Sequence, residues 1–232
     1  MNIIRKPCTN FTAGRAGYKP ELIVIHVMDG SLVGTDAWFN NPASQVSAHY
    51  GIGLKGEVHQ YVKETDRAWH AGRVKLPIFN LYKKNGVNPN LYTIGIEHEG
   101  KATTTWTAEM KNASAALIRR ICADWNIPID RDHVIGHYEV YAGKPNCPAT
   151  GKAIIDELVK LAQGSTLGKE MAGRILLAPE DHGSLWYVTL DGRRIKLGRS
   201  PEEVDEFLKA VQTNKLPHTG INNSNLNLIP LL

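Results

Sequence analysis

The chain has 232 residues, enough for one large domain or a medium one with a small appendage, and its composition, 42% hydrophobic and 22% charged, is ordinary for a soluble globular protein. The net charge of +4 arises in the first part: up to Gly164 there are 19 Lys and Arg against 15 Asp and Glu, and from Ser165 onward 8 against 8. That excess suits an acidic or polyanionic surface, but no Lys/Arg cluster marks a nucleic-acid partner, and the longest apolar run, LIVIHV, is far too short to span a bilayer.

The opening stretch, MNIIRKPCTNFTAGRAGYKP, is basic but lacks an apolar h-region, so it predicts synthesis in the cytoplasm without a secretory signal. ELIVIHV, a run of branched apolar residues, predicts a central strand covered on both faces. GTDAWFNN predicts the start of a short helix. SAHYGIGLKGEVHQYV predicts two strands around a turn at Leu54-Lys55-Gly56. Gly51, Gly53 and Gly56 have the spacing of a dinucleotide fingerprint, but Val58, Gln60 and Val62 then alternate as a strand where that motif needs a helix, which rejects a nucleotide site.

NLYTIGIEHEG predicts another strand, with Ile94, Ile96 and His98 on one face and Gly95, Glu97 and Glu99 on the other. From Ala108 to Asn126, Met110, Ala113, Leu117 and Ile121 fall on one helical stripe, closed by Pro128. DHVIGH predicts a short strand, and Ile154, Ile155, Leu158 and Leu161 a last amphipathic helix. Strands interleaved with helices give an α/β fold: a mixed central β-sheet flanked by helices, spanning residues 1–163. A linker is expected over 164–173, and then a small unit over 174–232. In that unit GRILLAP and LWYVTLDGRRIKLG predict strands, the latter a hairpin turning on Asp191-Gly192. Ser200, Pro201 and Glu203 form a capping box for a helix reaching about Thr213.

His26 ends the most apolar strand, where an imidazole needs a partner or a metal to offset its lost hydration. His137 follows HVIG at a strand end, where functional side chains of α/β folds collect. Cys147 sits in GHYEVYAGKPNCPAT between two prolines. Cys8, Cys122 and Cys147 are odd in number and widely spaced, which argues against a disulfide framework. Singly, each of the three reads as readily as a packing residue. Together, two imidazoles and a thiolate would give zinc three protein ligands and leave a fourth position open. Spacing leaves both readings standing.

Five blocks in order, IVIHVMDG, ASQVSAHYGIGLKGEVHQYV, AWHAG, NLYTIGIEHEG and VIGHYEV…NCP, resemble the zinc-dependent N-acetylmuramoyl-L-alanine amidases, the family shared by endolysins, autolysins and peptidoglycan recognition proteins. The resemblance runs from about Tyr18 to Leu161. It implies His26, His137 and Cys147 as ligands of Zn2+, with Glu97 as general base and then acid; Glu99, on the same face, stays an alternative. Glu139 is a candidate for orienting a ligand histidine. Many relatives have a lysine two residues before the last ligand. Here Pro145 fills that slot and Lys144 precedes it, so Lys144 is expected at the oxyanion only if the loop bulges. Ala48 stands where some relatives have tyrosine.

His70 and Trp69, from AWHAG, are implied as substrate-cleft residues, and His49 as a supporting or core residue. His59, His133, His182 and His218 are expected to be solvated or structural. The implied activity is hydrolysis of the amide between N-acetylmuramic acid and L-alanine in bacterial peptidoglycan, by a monomeric endolysin or autolysin reaching the wall through a separate pore. A non-catalytic peptidoglycan-binding protein and a cytosolic muropeptide-recycling amidase are the alternatives. The C-terminal module, with Trp186, Tyr187 and Arg193 as a candidate sugar-facing surface, is expected to aid wall attachment.

Overall fold

The computed structural model describes residues 1–148 and 151–164, together with four strands at 175–178, 184–188, 194–198 and 218–220. Contacts divide the chain into two units, Met1–Ala162 and Gln163–Leu232.

The first unit is built from β1 (Ile3–Arg5), β2 (Phe11–Thr12), β3 (Leu22–Val27), β4 (Tyr50–Ile52), β5 (Val58–Gln60), β6 (Arg67–Ala68), β7 (Thr93–His98) and β8 (Val134–Gly136). Its helices are α1 (Leu32–Phe39), α2 (Asn80–Asn85), α3 (Ala108–Trp125), α4 (His137–Val140) and α5 (Lys152–Gln163). Six strands form one mixed sheet in the order β1-β5-β4-β7-β3-β8, and β2 pairs with β6 separately. β4 and β5 run antiparallel around the expected turn, while β4, β7, β3 and β8 are mutually parallel.

The strand period of two divides the sheet residues between two cores. Ile23, Ile25, Ile94 and Ile96 pack with Met110, Leu117, Ile118 and Ile121 of α3 and Ile154, Ile155 and Leu158 of α5. Leu22 and Val24 point the other way, into a smaller cluster with Phe79, Tyr92, Ile135 and Val140. Each fully buried Ile or Leu contributes about 1.5–3 kcal/mol. One face is thus sealed by two long helices, and the other is covered by loops and short elements. His26 and Glu97 belong to the second face.

Local chemistry sets the helix ends. α1 begins two residues before Gly34, because the Ser31 hydroxyl accepts from Gly34 N and caps the helix there. Thr107 caps α3 by accepting from Met110 N, and Asn126 closes it in the left-handed conformation. Several elements lie outside the sequence expectations, among them the β2–β6 pair, α2 and the strand at His218–Gly220. β1 adds an edge strand in parallel to β5, and α4 begins at His137 itself.

The second unit holds β9 (Ile175–Ala178), β10 (Ser184–Val188), β11 (Arg194–Gly198) and β12 (His218–Gly220), in the order β11-β10-β9-β12. β10 and β11 pair antiparallel, as a hairpin requires. The linker beyond Gly164, the Asp191-Gly192 turn, His182, Arg193, the helix expected from Ser200 and the tail beyond Gly220 lie outside the described residues. Among the described residues no helix is long and apolar enough to cross a membrane.

His98, on the helix-covered face, is fully enclosed: its ring stacks on Trp106, Nδ1 lies 3.0 Å from the His26 carbonyl and Nε2 2.9 Å from Ser114 Oγ. Burial pushes its pKa down to about 3, against about 6.5 for an unfolded histidine. The folded state therefore refuses a proton that the unfolded chain accepts, and stability is complete above pH 6.5 and falls as the pH drops towards 3. Urea titrations between pH 6.5 and 5 are expected to show declining stability. In His98→Gln the slope becomes shallower by up to about 1.4 kcal/mol per pH unit; an unchanged slope assigns the effect to other groups.

Candidate metal centre

The three expected ligands arrive from three directions. His26 is the fifth residue of β3 and stands in register with Glu97 of β7. His137 opens α4 just past the end of β8. That start is fixed by Glu139, whose carboxylate accepts from Gly136 N at 2.7 Å and is held by Arg131 at 3.1 Å. Glu139 therefore steers the backbone in front of His137 and does not reach its ring partner, which is the Ala71 carbonyl. Cys147 lies on the following loop: its N–H donates to Lys144 O, its carbonyl accepts from Tyr138 N, and its Sγ accepts from Val27 N at 3.5 Å.

One donor atom from each of His26, His137 and Cys147 lies within 4.8 Å of the others, and all three residues are buried. Cys147 Sγ is 3.9 Å from His26 Nδ1, and the two imidazole centroids are 4.5 Å apart. Burial, reinforced by neighbouring His137 and His70, holds His26 well below the usual histidine range, and burial takes His137 down to about 4. Both rings are therefore neutral, the form that ligates metal. Burial pushes the Cys147 thiol up to about 12, so only a cation would make it a thiolate. Two neutral imidazoles and one sulfur fit a zinc-like ion in both number and softness.

Glu97 and Glu99 share a strand face yet differ in employment. Glu99 accepts from Leu32 N at 3.2 Å and Leu54 N at 2.9 Å, tying α1 to the β4–β5 turn. Glu97 has Oε1 4.0 Å from His26 Nδ1, while its Oε2 is buried without a protein partner. Burial raises its pKa to about 8 despite the opposing pull of Lys144. A carboxyl with a free oxygen and an elevated pKa can both accept and return a proton near neutrality.

A cavity of about 290 Å³ opens over these groups, and Trp69, His70 and exposed Lys144 are among its lining residues. His70 is nearly enclosed, with Nδ1 3.0 Å from His26 Nε2. The Trp69 indole N–H donates to Thr12 Oγ1. Trp38 and Val46 add an apolar wall outside the expected set, with Thr35 beside them and Trp38 54% exposed. The available signal is that α1 presents Val33 and Trp38 to solvent as well as Leu32 and Phe39 to the interior, so its outer face has a reason other than packing. A second cavity of about 260 Å³, reaching Asn146, shares Val27, Asp29, Lys144 and Cys147 with the first. A larger one, about 490 Å³ beside Trp125 and Pro128, shares no residue with the centre.

Three further histidines among the described residues are held by hydrogen bonds within the fold. His49 accepts from Gly95 N through Nδ1, His59 is buried against Asp36 at 2.8 Å, and His133 bonds Asp130. Ala48 is fully buried and brings no polar atom to the cavity.

The family profile described as N-acetylmuramoyl-L-alanine amidase matches residues 16–150, which include every donor above. N-acetylmuramoyl-L-alanine amidase A of Achromobacter lyticus is 40% identical over 123 residues, 52% of this chain, and the match spans only 61% of that relative's length. The 1,6-anhydro-N-acetylmuramyl-L-alanine amidase AmpD of Salmonella typhimurium is 29% identical over 162 residues, 62% of this chain and 82% of that one. Among solved structures, a selenomethionine derivative of AmpD superposes with a TM-score of 0.55 at 25% identity, covering 68% of this chain and 94% of that one. A mutant endolysin from Bacillus subtilis gives 0.50 at 23% identity over 68% and 99%, a likeness of fold. With more than half its length inside the family profile, the chain belongs to the N-acetylmuramoyl-L-alanine amidase family.

Proposed function

We propose that the protein hydrolyses the amide joining the lactyl group of N-acetylmuramic acid to L-alanine in bacterial peptidoglycan, with Zn2+ held by His26, His137 and Cys147. The observation that carries this reading is one cavity lined by both a two-nitrogen, one-sulfur donor set and a carboxyl, Glu97, whose Oε2 has no hydrogen-bond partner among the described residues. Zinc bound there would supply Lewis acidity for the scissile carbonyl and a water with a pKa near about 7.

Glu97 takes the proton of the attacking water and returns it to the departing amine of L-alanine, two transfers for which one carboxyl suffices because the second reverses the first. Lys144, on the cavity wall, offsets negative charge developing on the carbonyl oxygen. Trp69 and His70 border the scissile bond. The apolar wall of Trp38 and Val46 suits the C–H face of a pyranose ring, as exposed indoles do. An unused base beside an intact donor set favours turnover over mere binding.

Two substrates compete. An endolysin or autolysin acts on the intact wall, reached through a separate pore, and the C-terminal unit then serves as a wall anchor. A recycling enzyme acts on soluble 1,6-anhydro-muropeptides, which the likeness to AmpD over 82% of that relative supports. The wall reading is favoured by the additional unit at Gln163–Leu232, since a small soluble substrate needs no anchor.

Purified protein should contain about one zinc per chain by elemental analysis and release stem peptides from sacculi. Cys147→Ser should lose both metal and activity, and a fully active parent without metal would sink the mechanism. Glu97→Ala should keep its zinc while kcat falls by about a hundred- to ten-thousand-fold; retention of fast turnover would place the base elsewhere. Trp38→Ala should raise KM for glycan-bearing substrate more than it lowers kcat, and equal KM values would remove the indole from the binding surface. Parallel digestion of sacculi and soluble muropeptides separates the two substrates. A chain ending at Gly164 that binds sacculi as well as the parent would discard the anchor.

A further inference from the structure

Two buried imidazoles can present the same nitrogen to a metal only if something fixes where their protons sit. His26 turns Nδ1 towards Cys147 and Glu97, so its Nε2 must carry the proton, and that nitrogen lies 3.0 Å from His70 Nδ1. His70 Nε2 in turn lies 3.0 Å from Thr93 Oγ1, which is 2.8 Å from the Pro89 carbonyl. The polarity of this chain is forced from its far end. A carbonyl only accepts, so the Thr93 hydroxyl donates to Pro89 O. Thr93 Oγ1 then has only lone pairs for His70, whose Nε2 must carry hydrogen, and neutral His70 is left with a bare Nδ1. That bare nitrogen demands the proton of His26 Nε2 and leaves His26 Nδ1 free. The opposite polarity would set two acceptors 2.8 Å apart at Thr93 and Pro89.

The second ligand is treated by the neighbouring residue. His137 Nε2 lies 3.2 Å from the carbonyl of Ala71, so its proton too is drawn to Nε2 and away from the cavity. One short segment, His70-Ala71, therefore governs both rings. It is pinned by a single side chain: Asn90 Oδ1 accepts from His70 N at 3.2 Å and from Ala71 N at 2.8 Å. Gly95 of β7 makes room for it, since a Cβ there would lie 2.4 Å from His70 Cγ.

We infer that His70-Ala71, with Thr93 and Asn90 behind it, is a tautomer clamp: positioning residues that pre-set His26 and His137 to offer Nδ1 to the metal before any metal binds. The inference rests on the metal reading above and deepens it, giving Thr93, which touches neither ligand, a measurable influence on the site. His70 thereby acts through His26, beyond its position on the cavity wall.

Thr93→Val keeps the shape and removes the hydroxyl, so His70 loses the acceptor that orients it. Zinc affinity, measured by chelator competition on folded protein, is expected to weaken about tenfold in Thr93→Val and 10- to 100-fold in His70→Leu, while Thr93→Ser stays at the parent value. Histidine ¹⁵N–¹H correlation spectra of metal-free protein give the independent readout. The parent should show His26 and His137 protonated on Nε2 alone, and Thr93→Val a mixture at His26. Parent spectra with the proton on His26 Nδ1, or a folded Thr93→Val with parent affinity and a single tautomer, would overturn the clamp. A parent that takes up no zinc defeats the metalloenzyme reading instead, and the spectra still decide the clamp.

Discussion

The structure turns on the uneven covering of one sheet. Its helix-facing side is closed by α3 and α5 over Ile23, Ile25, Ile94 and Ile96, and this provides the larger apolar core. The other side carries polar groups at alternate positions, His26 on β3 and Thr93 and Glu97 on β7, beneath short elements and loops. A sheet residue must face one side or the other, so the same alternation that fills the core also delivers the donors to the opposite cavity. Stability and chemistry are thus divided between faces.

Burying imidazoles, a thiol and a carboxyl together is costly unless each polar atom has an assigned partner. Most have one. His70 lies between His26 and Thr93, His137 donates to Ala71, His98 is held by Ser114, and Cys147 accepts from Val27. Glu97 Oε2 has no hydrogen-bond partner among the described residues, and its residue lines the same cavity as His26, His137 and Cys147, whose donor atoms lie together.

Much of this was legible in the sequence, and the exceptions have physical causes. LIVIHV and TIGIEH show their strand character through unbroken branched residues and alternation, and the resemblance of the ordered blocks points to His26, His137 and Cys147, which the fold brings together. The resemblance points to Glu97, yet Glu99 stays an alternative in the sequence because alternation assigns a face and says nothing of partners; two backbone N–H groups from α1 and the β4–β5 turn occupy Glu99. β1 is three residues in a polar stretch and finds its hydrogen bonds only once β5 exists. The role of Thr93 is invisible in sequence, since it depends on three bonds that close between residues 26, 70, 89 and 93.

The charge state of the centre follows from the same burial. Without a cation, the rings are neutral, the thiol keeps its proton, and the Glu97 carboxyl has its pKa raised to about 8. The cavity therefore avoids isolated buried charge. A dication that ionised Cys147 would leave one net positive charge in a poorly solvated space, and the nearest carboxyl is Glu97, with Oε1 4.0 Å from His26 Nδ1. That charge would draw Glu97 towards its ionised form, the form required of a base. On the proposed reading, ligation and base activation would then be two consequences of one electrostatic event, and a carboxyl oxygen without a hydrogen-bond partner would be tolerated beside the proposed ligands for that reason.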